Sequence, residues 1–160
     1  MEIIIDTREQ DCLHFRKDIT VINEKLSVGD YSCRINGNPV PVSFERKNLS
    51  DLYGTLSGGY DRFKKEINRA SEAKIILVLA VEVPLQEVLK GHDHSTRSPQ
   101  SLVQQCFTIM VRYKVPCIFF ADRRDMAGYI TQVFLALERE QNGKDREVKR
   151  RVTKKLAVKE

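Results

Sequence analysis

The sequence lacks several features that would assign it to other protein classes. None of its apolar runs reaches membrane-spanning length, and no signal peptide opens the chain. The sequence therefore predicts a cytoplasmic protein without a membrane partner. The four cysteines include no Cys-x-x-Cys pair, which argues against a zinc ribbon or a redox motif. There is no internal repeat, and 160 residues with 41% apolar content suit a single domain around one core.

The positive charge of the chain is concentrated at its C-terminus. Residues 144–160 hold eight Lys or Arg against three acids, a net of +5 that equals the excess of the whole chain. We therefore expect a neutral domain, 1–143, and a basic tail, 144–160, whose valines and leucine recur at helical spacing. The tail either attracts DNA phosphates or only aids solubility. Its DNA-binding candidates are Lys149, Arg150 and Arg151.

Two acids flank a β-hairpin signature in the first third of the chain. Asp30 follows Gly29, Gly37-Asn38 is a candidate two-residue turn, and Glu45 lies fifteen residues after Asp30. With that turn Asp30 faces Glu45, and directly opposed residues have Cβ atoms roughly 4.5 to 5.5 Å apart. Carboxylates held this close repel each other unless a cation lies between them. Oxygen ligands without paired His or Cys favour Mg²⁺, with Mn²⁺ as the alternative.

Side chains alternate along the second strand of this hairpin. Lys47 therefore points to the same face as Glu45, where its ammonium can polarise a water or stabilise charge on a phosphate, whereas Arg46 points away. Asn48 is placed to cap a helix with Asp51 in its first turn, and Arg46 is expected to pair with Asp51. An Asp some distance before a Glu-x-Lys also occurs by chance, so the neighbouring segments matter.

The neighbouring segments resemble one known family, the nuclease domain of XPF-type structure-specific endonucleases. The similar segments, in order and spacing, are Asp6-Thr7-Arg8-Glu9, Gly29-Asp30-Tyr31, Glu45-Arg46-Lys47 with Asp51, and Arg62. The resemblance covers about residues 1 to 140, without the helicase or tandem helix-hairpin-helix domains of larger members. It implies a restriction-endonuclease-like fold, Mg²⁺-dependent cleavage of branched, flap or fork DNA in repair or recombination, and a homodimer.

The resemblance also implies roles for individual acids and for the lysine. Asp30 and Glu45 would hold the metal, with Asp6 as a further carboxylate, and Lys47 would orient the attacking water. A metal at this position would lower the pKa of that water and offset charge in the transition state. The full set of catalytic candidates is Asp6, Asp30, Glu45, Arg46, Lys47 and Asp51.

Candidates for contact with DNA lie outside the tail as well. Arg8 and Arg62 are placed by the resemblance to grip the scissile or an adjacent phosphate. Arg97 belongs to a loop that also contains His92-Asp93-His94, and loops often carry recognition residues. For the two histidines a polar connection is favoured over a metal site.

The remaining pattern predicts an α/β fold. Strands are expected over 2–6, 19–26, 30–36, 40–47, 74–82 and 115–121. Helices are expected over 9–17, 48–72 with a break at Gly58-Gly59, a short segment after Pro84, 98–114, and from Asp122 to Asn142-Gly143. This order indicates a mixed β-sheet flanked by helices, in agreement with the resemblance.

Two functions remain open at the level of sequence. One is a metal-dependent endodeoxyribonuclease, and the other is a non-catalytic DNA-binding or scaffold subunit with a nuclease-like fold. Degenerate subunits usually lose the acids or the lysine, and all of them are present here, which favours the enzyme. The last helix has a broad apolar surface that either mediates dimerisation or is covered within one domain. Its residues are Ile130, Val133, Phe134, Leu135 and Leu137.

Overall fold

A computed structural model describes the backbone of residues 1–157 and the side chains of residues 1–144. Seven strands and five helices are present in that part of the chain. They are β1 (Glu2–Ile5), β2 (Thr20–Asn23), β3 (Tyr31–Ile35), β4 (Asn38–Pro39), β5 (Val42–Lys47), α1 (Leu49–Leu56), α2 (Tyr60–Glu72), β6 (Ile76–Val81), α3 (Leu85–Lys90), α4 (Pro99–Tyr113), β7 (Cys117–Phe119) and α5 (Arg123–Ala157). None of the described helices is long and apolar enough to cross a membrane.

The strands form one mixed sheet. Its order is β2-β1-β3-β5-β6-β7, with β4 paired to β3. The pairs β1/β2, β5/β6 and β6/β7 are parallel, whereas β1/β3 and β3/β5 are antiparallel. Helices α1 to α4 bury their apolar residues on one face of the sheet, and α5 covers the other. The mixed sheet flanked by helices confirms the predicted fold class.

The apolar breadth of α5 is explained by packing within the domain. Ile130 and Phe134 are fully buried against the sheet, and Val133 and Leu137 pack on the same core. Ile130 and Phe134 are therefore unavailable to a second copy of the chain, because their apolar area is already removed from water within one copy. For the partly buried Val133, Leu135 and Leu137 the dimer surface stays a prediction.

Two predicted helices differ from the structure. Residues 9–17 form turns and irregular backbone instead of a helix, because their polar groups bind distant partners: Arg46 and Arg123 pair with acids of this segment, and the Tyr31 hydroxyl accepts the N–H of Leu13. Helix α5 does not end at Gly143 but continues to Ala157. Gly143 does not take the left-handed conformation that ends helices, so it only weakens the helix locally. Lys149, Arg150 and Arg151 lie beyond the described side chains.

The hairpin turn lies one residue earlier than predicted. Asn36, with φ 52°, and Gly37, with φ 78°, both take the left-handed conformation, as a two-residue type I′ turn requires. Ile35 then pairs with Asn38, so the predicted turn at Gly37-Asn38 is wrong.

The pairing beside the acids nevertheless has the predicted register. β4 and β5 are separated by Val40 and Pro41, and beyond them the pairing is displaced by two residues. Tyr31 pairs with Phe44 in this part of the hairpin. Continued by one residue, the register sets Asp30 opposite Glu45. A displacement of two residues keeps each side chain on its face of the sheet.

Candidate nuclease site

Gly29 brings the first acid close to β5. Its φ is +72°, and a Cβ at this position would lie 2.3 Å from Ser43 Oγ and 2.9 Å from the carbonyl oxygen of Phe44. Only glycine fits this close approach without strain. The N–H of the next residue, Asp30, donates to the carbonyl oxygen of Phe44 at 2.7 Å. Gly29 therefore lets Asp30 lie directly against the strand that carries Glu45.

Asp30 and Glu45 form a pair of carboxylates that have little contact with water. Oδ2 of Asp30 accepts the main-chain N–H of Arg46 at 2.8 Å, and the Glu45 residue is only 7% exposed. Burial raises the pKa of Asp30 to about 6. Burial and the neighbouring Asp30 charge raise the pKa of Glu45 to about 8. A bound cation would relieve this repulsion, because opposite charge favours the ionised form of both acids.

Lys47 lies on the same face of the sheet, as predicted. Its Nζ donates to Oε1 of Glu45 in an ion pair. Burial opposes the ammonium charge, but the charge and the hydrogen bond of Glu45, together with the Asp30 charge, raise the pKa of Lys47 above its usual value. Lys47 is therefore a cation near neutral pH and has no lone pair to accept a proton.

Asp6 has both carboxylate oxygens engaged. Oδ1 accepts from the main-chain N–H and Nε of Arg8, at 2.8 and 2.7 Å. Oδ2 accepts from Nη2 of Arg8 at 3.0 Å and from the N–H of Leu26 at 2.6 Å. Burial would raise the pKa of Asp6, yet these hydrogen bonds hold it below its usual range. The geometry uses Asp6 to hold Arg8, whose side chain remains 63% exposed.

Arg46 lies on the opposite face of the sheet but does not pair with Asp51, and that predicted ion pair is wrong. Its guanidinium contacts Glu9 at 3.1 Å, and Asp11 and Glu82 at 3.2 Å each. Asp51 is exposed at the start of α1, where its N–H donates to the side chain of the capping residue at 2.8 Å. Arg46 Nε is buried and makes no hydrogen bond in the described part of the chain.

Arg123 completes this ionic cluster from the first turn of α5. It pairs with Asp11 and, at 3.1 Å, with Glu82, and it donates to the carbonyl oxygens of Asp11 and Cys12 at 2.8 Å each. Sequence reasoning did not identify Asp11 or Glu82 as partners of Arg46. One local signal was available for Arg123, because a cation at a helix N-terminus opposes the dipole and needs an acidic partner.

A cavity of about 170 Å³ contains the predicted phosphate contacts Arg8 and Arg62 together with Glu45 and Lys47. It is lined by Arg8, Glu45, Lys47, Thr55, Gly59, Arg62, Phe63, Glu66 and Arg69. Sequence reasoning missed Glu66 and Arg69. Their positions four and seven residues after Arg62 place them on the same face of α2, and this spacing could have identified them.

The loop before α4 makes hydrogen bonds and a ring stacking contact within the domain. Arg97 donates to the carbonyl oxygen of Leu56, at the end of α1, to Gln105 Oε1 and, at 3.4 Å, to the carbonyl oxygen of Ser101. His92 stacks on Tyr53, with ring centroids 5.6 Å apart. The expectation of a DNA contact therefore has no support from the position of Arg97. No group of three or more His, Cys, Asp or Glu residues surrounds a metal position in the described chain.

Comparison with known proteins identifies the family and the fold of the chain. Residues 5–133 match the family model described as the ERCC4 domain. The structure of XPF from Aeropyrum pernix is similar, with a TM-score of 0.63 and 20% identity over 91% of this chain and 69% of that chain. The structure of XPF from Aeropyrum pernix in complex with DNA has a TM-score of 0.59 and 20% identity over 89% of this chain and 65% of that chain. No curated protein matches the chain. The chain belongs to the ERCC4 domain family, and its fold is that of an XPF-type nuclease domain.

Proposed function

We propose that this chain is a metal-dependent endodeoxyribonuclease that cuts branched, flap or fork DNA. The observation that carries the proposal is the pair of half-buried Asp30 and buried Glu45, with the cation of Lys47 beside it on the same face of the sheet. Two acids whose burial disfavours their own ionisation are typical of a site built for a cation or for proton transfer. The proposed substrate class follows the XPF resemblance, and one of the similar XPF structures contains DNA.

The residues present fit Mg²⁺, with Mn²⁺ as a possible substitute. Asp30 and Glu45 each keep one carboxylate oxygen that is not used in a hydrogen bond to the described residues. Mg²⁺ in proteins is commonly held by one or two carboxylates and keeps several waters, which agrees with two acids rather than a closed cage. When bound, the metal would lower the pKa of a water and offset charge on the phosphate.

The protein's own side chains would position the substrate. Lys47, held as a cation, would stabilise negative charge on the phosphate or orient the attacking water. Arg8 and Arg62 line the same cavity as Lys47, and an arginine guanidinium can bind a phosphate through two hydrogen bonds. Arg46 would keep the site in register, because its main chain binds Asp30 while its side chain is anchored on the other face.

Labelled duplex, single-stranded, flap, fork and four-way DNA, each with Mg²⁺, Mn²⁺ or chelator, test the proposal directly. We expect cleavage only with metal. Asp30→Asn, Glu45→Gln and Lys47→Met should each lower the rate at least about 100-fold. The matched controls are Glu72→Gln and Lys65→Met, which change exposed charges on α2 and should keep full activity.

The Lys47→Met variant separates a role in acting on water or phosphate from a role as a metal ligand. Because Lys47 would act on water or phosphate and not as a metal ligand, the variant should still bind Mn²⁺.

Full activity in chelator would overturn the metal model. DNA binding without cleavage of any substrate would instead favour the non-catalytic DNA-binding or scaffold subunit.

We also propose that the chain pairs into a homodimer, as the XPF resemblance implies. Since the buried residues of α5 are unavailable, the candidate surface is on α4, where Phe107, Met110 and the 66% exposed Val111 lie on one helix face. Sedimentation at micromolar concentration should show a dimer, and Val111→Asp should shift it to monomer. A monomer with and without DNA would overturn this proposal.

A further inference from the structure

Glu66 is a third carboxylate at the cavity that contains Glu45 and Lys47. It lies half-buried on α2, and its Oε1 accepts the main-chain N–H of Gly29 at 3.0 Å. Oε2 accepts no hydrogen bond from the described residues. Glu66 therefore touches the residue that precedes Asp30 and still has one free oxygen at the cavity.

The Glu66 charge acts on three charged groups of the site, Asp30, Glu45 and Lys47. Burial is the largest cause of the raised pKa of Asp30 and of Glu45, and the Glu66 charge adds to it in both cases. The same charge helps to raise the pKa of Lys47, against the effect of burial and after the larger effect of Glu45. Glu66 thus belongs to the site through its place in the cavity beside Glu45 and Lys47 and its hydrogen bond to Gly29, although it comes from α2.

Glu66 does not belong to a closed ligand cage, since no three acids surround one metal position in the described residues. A carboxylate near the cage but outside it can act through water, because Mg²⁺ retains much of its hydration shell in proteins. Such outer partners orient the ligands and commonly change metal affinity when they are removed.

We propose that Glu66 is a positioning residue of the metal site, which binds the water around the cation through Oε2 while Oε1 holds Gly29. This inference rests on the proposed function. It extends the metal site from the β-hairpin to α2, and assigns to one helix both the phosphate contact of Arg62 and an acid that attracts the metal.

The substitution Glu66→Gln tests the charge separately from the hydrogen bond. Glutamine keeps a carbonyl oxygen for the Gly29 N–H but removes the negative charge. Calorimetric titration with Mn²⁺ alone, without DNA, should show a Kd about 10-fold higher than that of the unaltered chain. Glu72→Gln, at the exposed end of the same helix, should bind Mn²⁺ normally. Circular dichroism confirms that each variant is folded.

Three other results would overturn the inference. A Glu66→Gln variant with a Kd within twofold of the unaltered chain would show that the charge is not needed. If Glu66→Leu alone weakened binding, the role of Glu66 would be confined to holding Gly29. If the unaltered chain bound no Mn²⁺ at all, the metal site of the proposed function would fail, which is a distinct outcome from a failure of Glu66.

Discussion

The main-chain N–H of Arg46 donates a 2.8 Å hydrogen bond to Oδ2 of Asp30, while the Arg46 guanidinium is anchored on the opposite face of the sheet. One residue therefore connects the two faces. The ion pairs with Glu9 and Glu82 fix the backbone between Glu45 and Lys47, and that backbone fixes the carboxylate of Asp30. The geometry of the candidate site thus depends on charges that do not line it.

Replacing Arg46 by methionine should lower the free energy of unfolding by about 3 kcal/mol, because Glu9 would be left nearly buried without a cation and Glu82 would keep only its ion pair with Arg123. Urea denaturation followed by circular dichroism measures this loss. Asp51→Asn is the matched control, since Asp51 is exposed and should change the stability by no more than about 1 kcal/mol. A loss below about 1 kcal/mol for Arg46→Met would mean that the ionic cluster contributes little.

Gly29→Ala should be destabilising by about 2 kcal/mol or more, because the added Cβ meets Ser43 Oγ at 2.3 Å and φ is +72°. Gly54→Ala provides the contrast. Gly54 lies inside α1, and no atom lies within 4 Å of the position that an added Cβ would take, so alanine should stabilise the helix by roughly 0.5 to 1 kcal/mol. Thermal unfolding of both variants checks the opposite signs, and equal effects would contradict the close approach at Gly29.

The metal-free protein should become less stable as pH rises from about 4 to 8. Burial raises the pKa of Asp30 to about 6, and burial with the Asp30 charge raises the pKa of Glu45 to about 8. The folded state therefore binds protons more tightly than the unfolded state, and this advantage is lost as the two acids ionise. Metal should reverse the loss, because the cation stabilises the ionised acids.

The variant Asp30→Asn isolates this effect, since asparagine can still accept the N–H of Arg46. In chelator at pH 8 its Tm should exceed that of the unaltered chain by about 3 °C or more, which corresponds to about 1 kcal/mol in a chain of this size. At pH 4 the difference should nearly vanish, as Asp30 is then protonated. A higher Tm for the unaltered chain at pH 8 would contradict the raised pKa values.

The sequence predicted the structural features that depend on residues close together in the chain. Strand alternation and a short hairpin set Asp30 opposite Glu45 and Lys47 beside Glu45. The first residues of α4 and α5 were also predictable from local sequence. Ser98 accepts the N–H of Ser101 and Asp122 accepts the N–H of Asp125, as capping residues do. The turn itself was misplaced by one residue, but the two residues between β4 and β5 restored the register beside the acids.

Contacts between distant segments were beyond the reach of such patterns. Arg46 meets Glu9 and Asp11 across 37 and 35 residues, and nothing local marks those acids as its partners. The same contacts hold the 9–17 segment in turns and irregular backbone, against its predicted helix. Glu66 reaches Gly29 across 37 residues, which is why an acid on α2 was missed. Local helix propensity is overridden where residues distant in sequence bind the backbone or a charged side chain.

Residues 144–160 offer a further prediction that depends on charge alone. Deleting them removes a net +5, which should weaken DNA binding and flatten its dependence on salt. Each lost phosphate contact changes the log-log slope by about 0.9 on duplex DNA. Turnover at saturating DNA should stay nearly constant, because the acids and Lys47 are unaffected. An unaltered slope would show that the tail does not touch DNA and would favour packing or a protein partner.

The type I′ turn at Asn36-Gly37 makes the hairpin tip a suitable attachment point. Asn36, Gly37 and Asn38 are exposed, and the six residue steps along β3 from Asp30 to Asn36 cover roughly 20 Å. The register beside the acids is set by Tyr31 and Phe44, not by the tip, so a longer loop would leave Asp30 opposite Glu45. A peptide tag or a fluorophore placed there should leave the carboxylates and their spacing unaltered.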